Sequence, residues 1–368
     1  MNPADEEFIL QCLRIYYYEY FGIIDIPPEL NRHEFGYKRP NSGMMRHIQL
    51  QDAAQLRSTL MRELPLDVFL SPARYLSPTS PMPEKEWQSS DLIFDIDAKD
   101  LNLECRPSHT VQICTTCGMS SDKECPCDYP KKVSTSVACG RCINASKNEV
   151  RKLLDILSDD IGIEESQVRI YFSGNDGFHI HIRDSKLSNL NSLERSELVD
   201  YVMFRNILPE RLGVRKDNTP SLPKPTDLGW PGRFARHMHG SKMTHPPKNK
   251  KVTSDDYAQF SDTLKTLSGI LGACVDPGVT TDIRRIFRMP GTINGKSGMT
   301  KMLCTNIKKF NPYKDAVLIH DKKVTVRASC PIQFRLMNKK FGPYYDEDVS
   351  IPAYAALYLI CKQLAHIS

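Results

Sequence analysis

The sequence lacks any apolar run that approaches the roughly 18 residues a membrane-spanning helix needs. Its first seven residues are acidic rather than basic, so no secretory signal peptide is expected. A strong excess of one charge is missing too, because the formal net charge is only +5, which permits a nucleic-acid partner without requiring one. We therefore expect a soluble cytoplasmic protein that has no membrane contact.

The length and composition are those of a globular protein with more than one structural unit. Hydrophobic residues make up 40% and charged residues 25% of the chain, as in ordinary soluble proteins. The 368 residues exceed what a single core usually organises, so two or three units are expected. Strands from distant segments, separated by inserted units, predict an α+β fold. We divide the chain into a discontinuous core (1–104, 143–185 and 263–345), a cysteine-rich insert (105–142), a helical subdomain (186–262) and a C-terminal helix (346–368).

The apolar spacing gives a coarse secondary structure. Helices are predicted over 5–21, 52–64, 146–160 and 352–364. Strands are predicted over 32–36, 44–50, 92–97, 168–172 and 178–182, and near 274–288 and 299–304. Residues 71–83, rich in proline and serine, are predicted to form a loop.

Two aspartates, Asp95 and Asp97, end an apolar run typical of a buried strand. Alternate side chains of a strand point to one face, so both carboxylates project together while Ile96 packs behind them. Neighbouring carboxylates repel each other unless a cation lies between them, and Mg²⁺ or Mn²⁺ prefers such oxygen ligands. The pair alone fits either a divalent-metal site or a solvated strand end.

Seven of the twelve cysteines lie in the insert, in CxxC and CxC spacings, with a histidine nearby. This pattern predicts metal ligation in a reducing cytosol rather than disulfides. Eight such ligands suit two closed, structural zinc sites. The preferred partition is Cys105, His109, Cys139 and Cys142 for one ion, and Cys114, Cys117, Cys125 and Cys127 for the other. Pairing Cys114 and Cys117 with Cys139 and Cys142 is equally good chemistry.

A glycine-rich turn, residues 173–177, joins the strand at 168–172 to a second alternating run. Gly174 lets the backbone approach a ligand closely and offers N–H groups to phosphate, although a plain hairpin also explains such a turn. His179 and His181 share one face of the second run, as in a surface feature or a transition-metal site.

A third stretch begins at Asp276 and carries several cations up to residue 298. Arg284 and Arg288 are four residues apart and would share a helical face. Arginine binds phosphate as a fork, and Lys296 would bind it as a point charge. The alternative is a solvated surface on which these cations pair with acids.

The three motifs resemble, in order and spacing, those of the catalytic small subunit of archaeal and eukaryotic DNA primases. The residues concerned are Asp95-Ile-Asp97, Ser173-Gly-x-x-Gly-x-His179 and the stretch from Asp276 to Gly298. The zinc insert lies between the first two motifs, as in that family, and the third stretch is similar to the archaeal form. The resemblance implies a mixed-sheet core of the archaeo-eukaryotic primase type, with an inserted zinc-binding module and an inserted helical subdomain.

The resemblance also implies roles for individual residues. Asp95, Asp97 and Asp276 would hold two Mg²⁺ or Mn²⁺ ions. Nucleotide contacts would come from Ser173, Gly174, His179, Arg288, Lys296, Glu34, Arg46 and Arg284. The resemblance supports Cys105, His109, Cys139 and Cys142 as zinc ligands. The other four cysteines of the insert, Cys114, Cys117, Cys125 and Cys127, would be an addition to the family's pattern. Two positions depart from the pattern, because Asp176 and Asn294 stand where relatives often carry arginine and histidine.

The implied function is that of a DNA primase catalytic subunit. Such an enzyme joins nucleoside triphosphates into short RNA primers, with DNA primers as an alternative product, on a single-stranded DNA template and releases pyrophosphate. Its expected partner is the primase large subunit, in a heterodimer of the replication machinery. Two other functions stay open: a stand-alone repair or plasmid primase-polymerase, and a catalytically inactive, zinc-dependent single-strand-binding module. The presence of all three acids favours an active enzyme.

Overall fold

The computed structural model describes residues 1–114, 116, 125, 127, 131–184, 186–239 and 250–368. Helices and antiparallel sheets both contribute to these parts, which confirms the predicted combination of helices and sheets. The resemblance implied a mixed sheet, but the pairings between the named strands of the described segments are all antiparallel. Of the helices in these ranges, none has the length and apolar character needed to cross a membrane.

The α-helices of the described residues vary from a single turn to five turns. In chain order they are α1 (Pro3–Glu19), α2 (Ala53–Glu63), α3 (Gly140–Ile156), α4 (Ser192–Val202), α5 (Gly229–His239), α6 (Ser254–Leu271), α7 (Pro277–Thr281), α8 (Pro312–Asp315) and α9 (Ala353–Cys361).

The strands are mostly short. In chain order they are β1 (His33–Lys38), β2 (Met44–Ile48), β3 (Asp67–Tyr75), β4 (Trp87–Ser90), β5 (Leu92–Asp97), β6 (Thr110–Cys114), β7 (Lys132–Ser136), β8 (Val168–Phe172), β9 (Gly177–Ile182), β10 (Phe287–Arg288), β11 (Met302–Leu303), β12 (Lys323–Cys330), β13 (Phe334–Leu336), β14 (Lys339–Phe341), β15 (Tyr344–Pro352) and β16 (Ala365–Ile367).

Two sheets form the centre of the molecule. One has the strand order β10-β3-β1-β2, with β4 also paired to β3, and the other has the order β11-β8-β9-β5. The first sheet therefore joins strands from residues 33–90 with β10, which lies about 200 residues later in the sequence. A third sheet, β15-β12-β16, and the hairpins β6-β7 and β13-β14 complete the described strands.

Helix α9 is the internal helix of the core. Its residues from Ala353 to Ile360 are all buried, and a helix that is apolar all round is typical of a protein interior. Helix α1 begins at its N-cap Asn2, which accepts a 2.7 Å hydrogen bond from the N–H of Asp5, and buries one face against the core. Because α9 is enclosed on every side, the residues that follow it are fixed relative to the central sheets.

Several boundaries differ from the predicted ones. The segment 71–83 is not all loop, because β3 continues to Tyr75 and its Pro72 lies at a register shift of the β1–β3 pairing, where a missing N–H is tolerated. Helix α3 starts at Gly140 rather than at residue 146, so Cys139 is its N-cap and Cys142 lies in its first turn. The final helix is shorter than predicted and is flanked by β15 and β16, which the apolar spacing did not reveal.

The segment 274–288 was predicted to be a strand, and most of it is not. Asp276 caps the short helix α7, and Pro277 occupies its first position, where a proline fits best. Only Phe287 and Arg288 form a strand, β10. Arg284 lies in a turn, so the shared helical face predicted for Arg284 and Arg288 is wrong.

Candidate active site

The aspartate pair lies on β5, which is an edge strand of its sheet. Asp95 faces His179 and Asp97 faces Gly177 in the antiparallel pairing with β9. The alternate residues Phe94 and Ile96 are buried in the main core, so the carboxylates project from the opposite face, as predicted.

The free edge of β5 is covered by the segment that carries the third acid. The N–H of Asp276 donates to the carbonyl of Asp95 at 2.9 Å, and the hydroxyl of Thr280 donates to the carbonyl of Ile93 at the same distance. Val279 packs against Ile93 beneath these bonds. The backbone hydrogen bond places the third acid beside the first two, although 178 residues of sequence lie between Asp97 and Asp276.

The two carboxylates on β5 are held where their ionisation is unfavourable. Burial, with added repulsion from Asp97 and Asp276, raises the pKa of Asp95 to about 8. Burial and the charge of Asp176 also raise the pKa of Asp97. Among the described residues, none donates a hydrogen bond to Asp95 Oδ1, which is a buried oxygen. A divalent cation bound here would favour the ionised carboxylates and could be coordinated by Asp95 Oδ1.

The carboxylate oxygens of Asp95, Asp97 and Asp276 do not all lie within 4.8 Å of one another. Within the described segments, the groups of three or more ligand atoms that lie within 4.8 Å of one another consist of cysteines and a histidine. Asp97 is instead paired with Lys99, whose ammonium lies 2.8 Å from Oδ2 and is about half exposed. Lys99 therefore compensates part of the negative charge on β5.

A buried row of basic side chains lies on the same face as the aspartates. His179 Nε2 is 3.5 Å from Asp95 Oδ1, and the ring of His181 stacks on that of His179. Lys301, also buried, has its Nζ 3.1 Å from His181 Nε2. Burial and the charge of Lys301 hold the pKa of both histidines well below the ordinary value, so both rings are neutral at neutral pH.

The glycine-rich turn is fixed by contacts with the third stretch. Gly174 adopts φ +88°, and a Cβ there would lie 2.7 Å from the Cβ of Asn294. Asn294 donates to the carbonyl of Ser173 at 3.0 Å, and the hydroxyl of Ser297 donates to the carbonyl of Gly174. The hydroxyl of Ser173 accepts from two N–H groups of its own turn, so it is engaged within the protein.

The basic side chains of the third stretch differ in how exposed they are and in whether a protein partner holds them. Arg288 is largely buried and donates to Asp67 Oδ1 at 2.5 Å, whereas the side chain of Lys296 is exposed. Arg284 is exposed as well; burial raises the pKa of Tyr75 to about 12, and the charge of Arg284 opposes this rise. Lys296 therefore has the freedom to meet a ligand, while Arg288 is held in place.

Glu34 and Arg46, predicted to face the nucleotide, form an ion pair on β1 and β2. Glu34 is fully buried and accepts from Arg46 Nε at 3.0 Å, from the N–H of His47 at 3.2 Å, and lies 3.3 Å from Lys85 Nζ. Burial opposes ionisation of Glu34, but these partners outweigh it and lower its pKa. Arg46 remains about one-third exposed, so its guanidinium is oriented by a buried carboxylate.

Two groups of side chains that could hold a metal ion lie in the insert. Cys105, His109, Cys139 and Cys142 have ligand atoms within 4.8 Å of one another, as do Cys114, Cys125 and Cys127. This grouping follows the preferred partition, and Cys117 lies outside the described residues. Ala98, the residue after Asp97, packs against Cys105 and Cys142, so the first group lies directly behind the end of β5.

Comparisons with known proteins identify the family of this chain. A sequence model of the DNA primase small subunit matches residues 126–304. The DNA primase small subunit PriS of Nitrosopumilus maritimus is 45% identical over 373 residues, covering 100% of both chains. The PriS of Cenarchaeum symbiosum is 42% identical over 369 residues, covering 99% of each, and that of Methanococcoides burtonii is 28% identical over 398 residues, covering 93% of this chain and 94% of its own. The chain belongs to the DNA primase small subunit family.

Membership in this family confirms the predicted function. The chain is an enzyme, a DNA-directed primase of the replication machinery, and its relatives are archaeal, as the motifs indicated. A solved structure, the polymerase domain from Mycobacterium tuberculosis ligase D in complex with DNA, overlaps 82% of this chain and 80% of its own at 12% identity. Its TM-score of 0.37 is too low for any argument about this primase.

Several residues of the site were not predicted from the sequence. Lys301 and Lys85 are buried lysines beside His181 and Glu34, and Asp67 holds both Arg288 and the N–H of Gly295. None of them lies in a recognisable motif, and only tertiary contacts reveal them. One sequence feature could have pointed to Lys301, because this residue lies three positions after the end of the third stretch.

The raised pKa of Asp95 makes the stability of this primase depend on pH. Asp95→Asn should stabilise the chain when no divalent ion is added, because it removes a carboxylate whose ionisation burial opposes. The pKa of about 8 in the folded state exceeds the ordinary 3.8, so the folded chain binds more protons than the unfolded chain between these values, and wild-type stability falls as pH rises. The free energy of unfolding of Asp95→Asn should exceed that of the wild type by an amount that grows between these two pH values. Above the higher pH the difference should reach about 1–3 kcal/mol.

Urea unfolding at about pH 5 and about pH 9 measures this difference. Asp262→Asn is a matched control, because Asp262 is 74% exposed and should show no such pH dependence. An Asp95→Asn variant that is less stable than the wild type at the higher pH would contradict the assignment.

Proposed function

We propose that this primase synthesises short RNA primers on single-stranded DNA by two-metal nucleotidyl transfer, with release of pyrophosphate. The observation that carries the proposal is the meeting of Asp95, Asp97 and Asp276 at the covered edge of β5. Three carboxylates at one strand edge form a suitable ligand set for hard divalent cations such as Mg²⁺ or Mn²⁺.

The three acids fit two such ions by their chemistry. Asp95 Oδ1 is buried and, among the described residues, accepts no hydrogen bond, and the pKa of Asp95 and Asp97 is raised as expected where a cation is needed. Bound Mg²⁺ or Mn²⁺ would supply charge stabilisation for the attacking 3′-hydroxyl and the leaving pyrophosphate. Asp95 and Asp97 are held by strand pairing and Asp276 by its backbone bond, so the protein contributes positioning rather than covalent chemistry.

The neighbouring residues suit a nucleoside triphosphate. His179 is neutral, and its Nδ1 has no hydrogen-bond partner in the described part of the chain, so it can bond to a phosphate or a sugar hydroxyl. Lys296 is exposed beside the glycine turn, while Ser173 and Gly174 shape that turn. Arg288, Arg284, Glu34 and Arg46 are proposed as further nucleotide contacts; Arg288 is oriented by Asp67 and Arg46 by Glu34.

The cysteine groups suit structural zinc. Cys105, His109, Cys139 and Cys142 would hold one ion with four protein ligands, which leaves no open position for catalysis. Burial and the neighbouring Cys139 raise the pKa of Cys142 to about 12, and a zinc ion would instead favour its thiolate. Cys114, Cys125 and Cys127, with Cys117 as the predicted fourth ligand, would hold a second ion.

The proposed partners follow from the reaction. They are a single-stranded DNA template, nucleoside triphosphates and a primase large subunit that forms a heterodimer with this chain in the cytoplasm. We also propose the division into a discontinuous core, a zinc insert and a helical subdomain over 186–262, in which the described residues form α4, α5 and the first half of α6.

Nucleotide incorporation tests the catalytic assignment. On an oligonucleotide template with Mn²⁺ or Mg²⁺, the double substitution Asp95→Ala plus Asp97→Ala should lower the rate by a factor on the order of 10³ or more, because it removes two of three cation ligands. Asp262→Ala, on the exposed surface of α6, should leave the rate unchanged. Activity that survives in the double variant would refute the two-metal site, and single-strand binding without incorporation by the wild type would favour the inactive module.

Elemental analysis tests the zinc assignment. The purified wild type should contain one to two zinc ions per chain, and Cys142→Ser should lose one of them together with thermal stability, because the metal supplies folding energy to the insert. Cys274→Ser is the control, since Cys274 lies outside both ligand groups and should keep the full zinc content. Zinc-free wild-type protein would contradict the assignment.

A further inference from the structure

A lysine outside the three motifs reaches the glycine-rich turn from the end of the chain. Lys362 follows α9 as its C-cap residue and is only 6% exposed. Its Nζ donates to Asn175 Oδ1 at 2.6 Å, and Asn175 lies in the turn between β8 and β9. Because α9 is enclosed by the core, the ammonium of Lys362 is held rigidly beside this turn.

Positive charge exceeds negative charge at this end of the turn. Burial, and the neighbouring charges of Lys296 and Arg106, lower the pKa of Lys362 to about 8, while Asp176 acts in the opposite direction. Arg106 is 3.4 Å from Asp176 Oδ2 through both terminal nitrogens. Arg106 therefore pairs with Asp176, while Lys362 and Lys296 lie near enough for their charges to affect each other, and a polyanion bound there would compensate this positive charge.

We propose that Lys362 binds the triphosphate of the incoming nucleotide, together with Lys296, and that Arg106 keeps Asp176 from neutralising it. The inference rests on the proposed function and extends its nucleotide site to the C-terminal helix. Lysine binds phosphate as a point charge, and Asn175 holds this ammonium in position without cancelling its charge. Lys362 thus supplies positive charge at a turn that carries a carboxylate at position 176.

A structural role is the alternative explanation, because a cation at a helix C-terminus can stabilise the last carbonyl groups. The N–H of Lys362 does close the final turn of α9 at 3.1 Å from the carbonyl of Tyr358. A role of this kind would affect stability and would not distinguish nucleotides by their number of phosphates. The experiment must therefore separate phosphate recognition from folding.

The test uses the full chain with an oligo(dT) template, and compares Lys362→Met with Lys147→Met. Lys147 is a matched control, since it is 7% exposed and donates to the carbonyl of Phe310 at 2.5 Å, which lies outside the proposed nucleotide site. Lys362→Met should raise the KM for ATP on the order of tenfold, because a charged hydrogen bond to phosphate is lost. Equilibrium dialysis should show weaker ATP binding and unchanged AMP binding, and Lys147→Met should match the wild type in both.

A second variant keeps the inference testable if Lys362→Met does not fold. Asp176→Asn removes the carboxylate that attracts Lys362 and should lower the KM for ATP. An unchanged or raised KM in Asp176→Asn would overturn the inference. A Lys362→Met chain that folds and keeps the wild-type KM for ATP would also overturn it. The same holds for a Lys362→Met chain whose affinities for ATP and AMP fall together. A wild-type chain that incorporates no nucleotide would contradict the proposed function itself, whereas these outcomes in an active wild type contradict only the role of Lys362.

Discussion

Burial of neighbouring carboxylates, which also repel one another, is the constraint that the structure around β5 must satisfy. Asp95 and Asp97 share one face of an edge strand, and the backbone hydrogen bond between Asp276 and Asp95 adds a third acid. Folding forces these groups into a partly buried place where at least Asp95 resists ionisation. Such a site destabilises the folded chain, a bound cation would relieve the cost, and costs of this kind are common where an active site is preorganised.

The surrounding structure makes this arrangement rigid. Behind β5, Ala98 joins the end of the strand to the group formed by Cys105, His109, Cys139 and Cys142. On its inner side, β9 supplies two neutral histidines, and buried Lys301 lies against one of them. Each element that touches the acids is therefore itself fixed by burial, by pairing or by a ligand cluster, which is what accurate positioning of reacting groups requires.

The sequence was informative where chemistry follows from local spacing. The alternation placed Asp95 and Asp97 on one face of β5 and His179 and His181 on one face of β9, and the cysteine spacing indicated candidate metal ligands but left their grouping open. It failed where a single residue decides the local backbone, as when Asp276 and Pro277 start a helix inside a predicted strand. Buried cations such as Lys301 and Lys362 could not be predicted, because their partners are remote in sequence and only the packed fold brings them together.

The position of bound manganese tests the two-metal account most directly. Anomalous diffraction from crystals soaked with Mn²⁺ and a non-hydrolysable nucleoside triphosphate would locate the ions without relying on activity. The account predicts two peaks, both in contact with the carboxylates of Asp95 and Asp97, with Asp276 as a ligand of at least one. Manganese that binds elsewhere, or that leaves Asp276 without a metal contact, would contradict it.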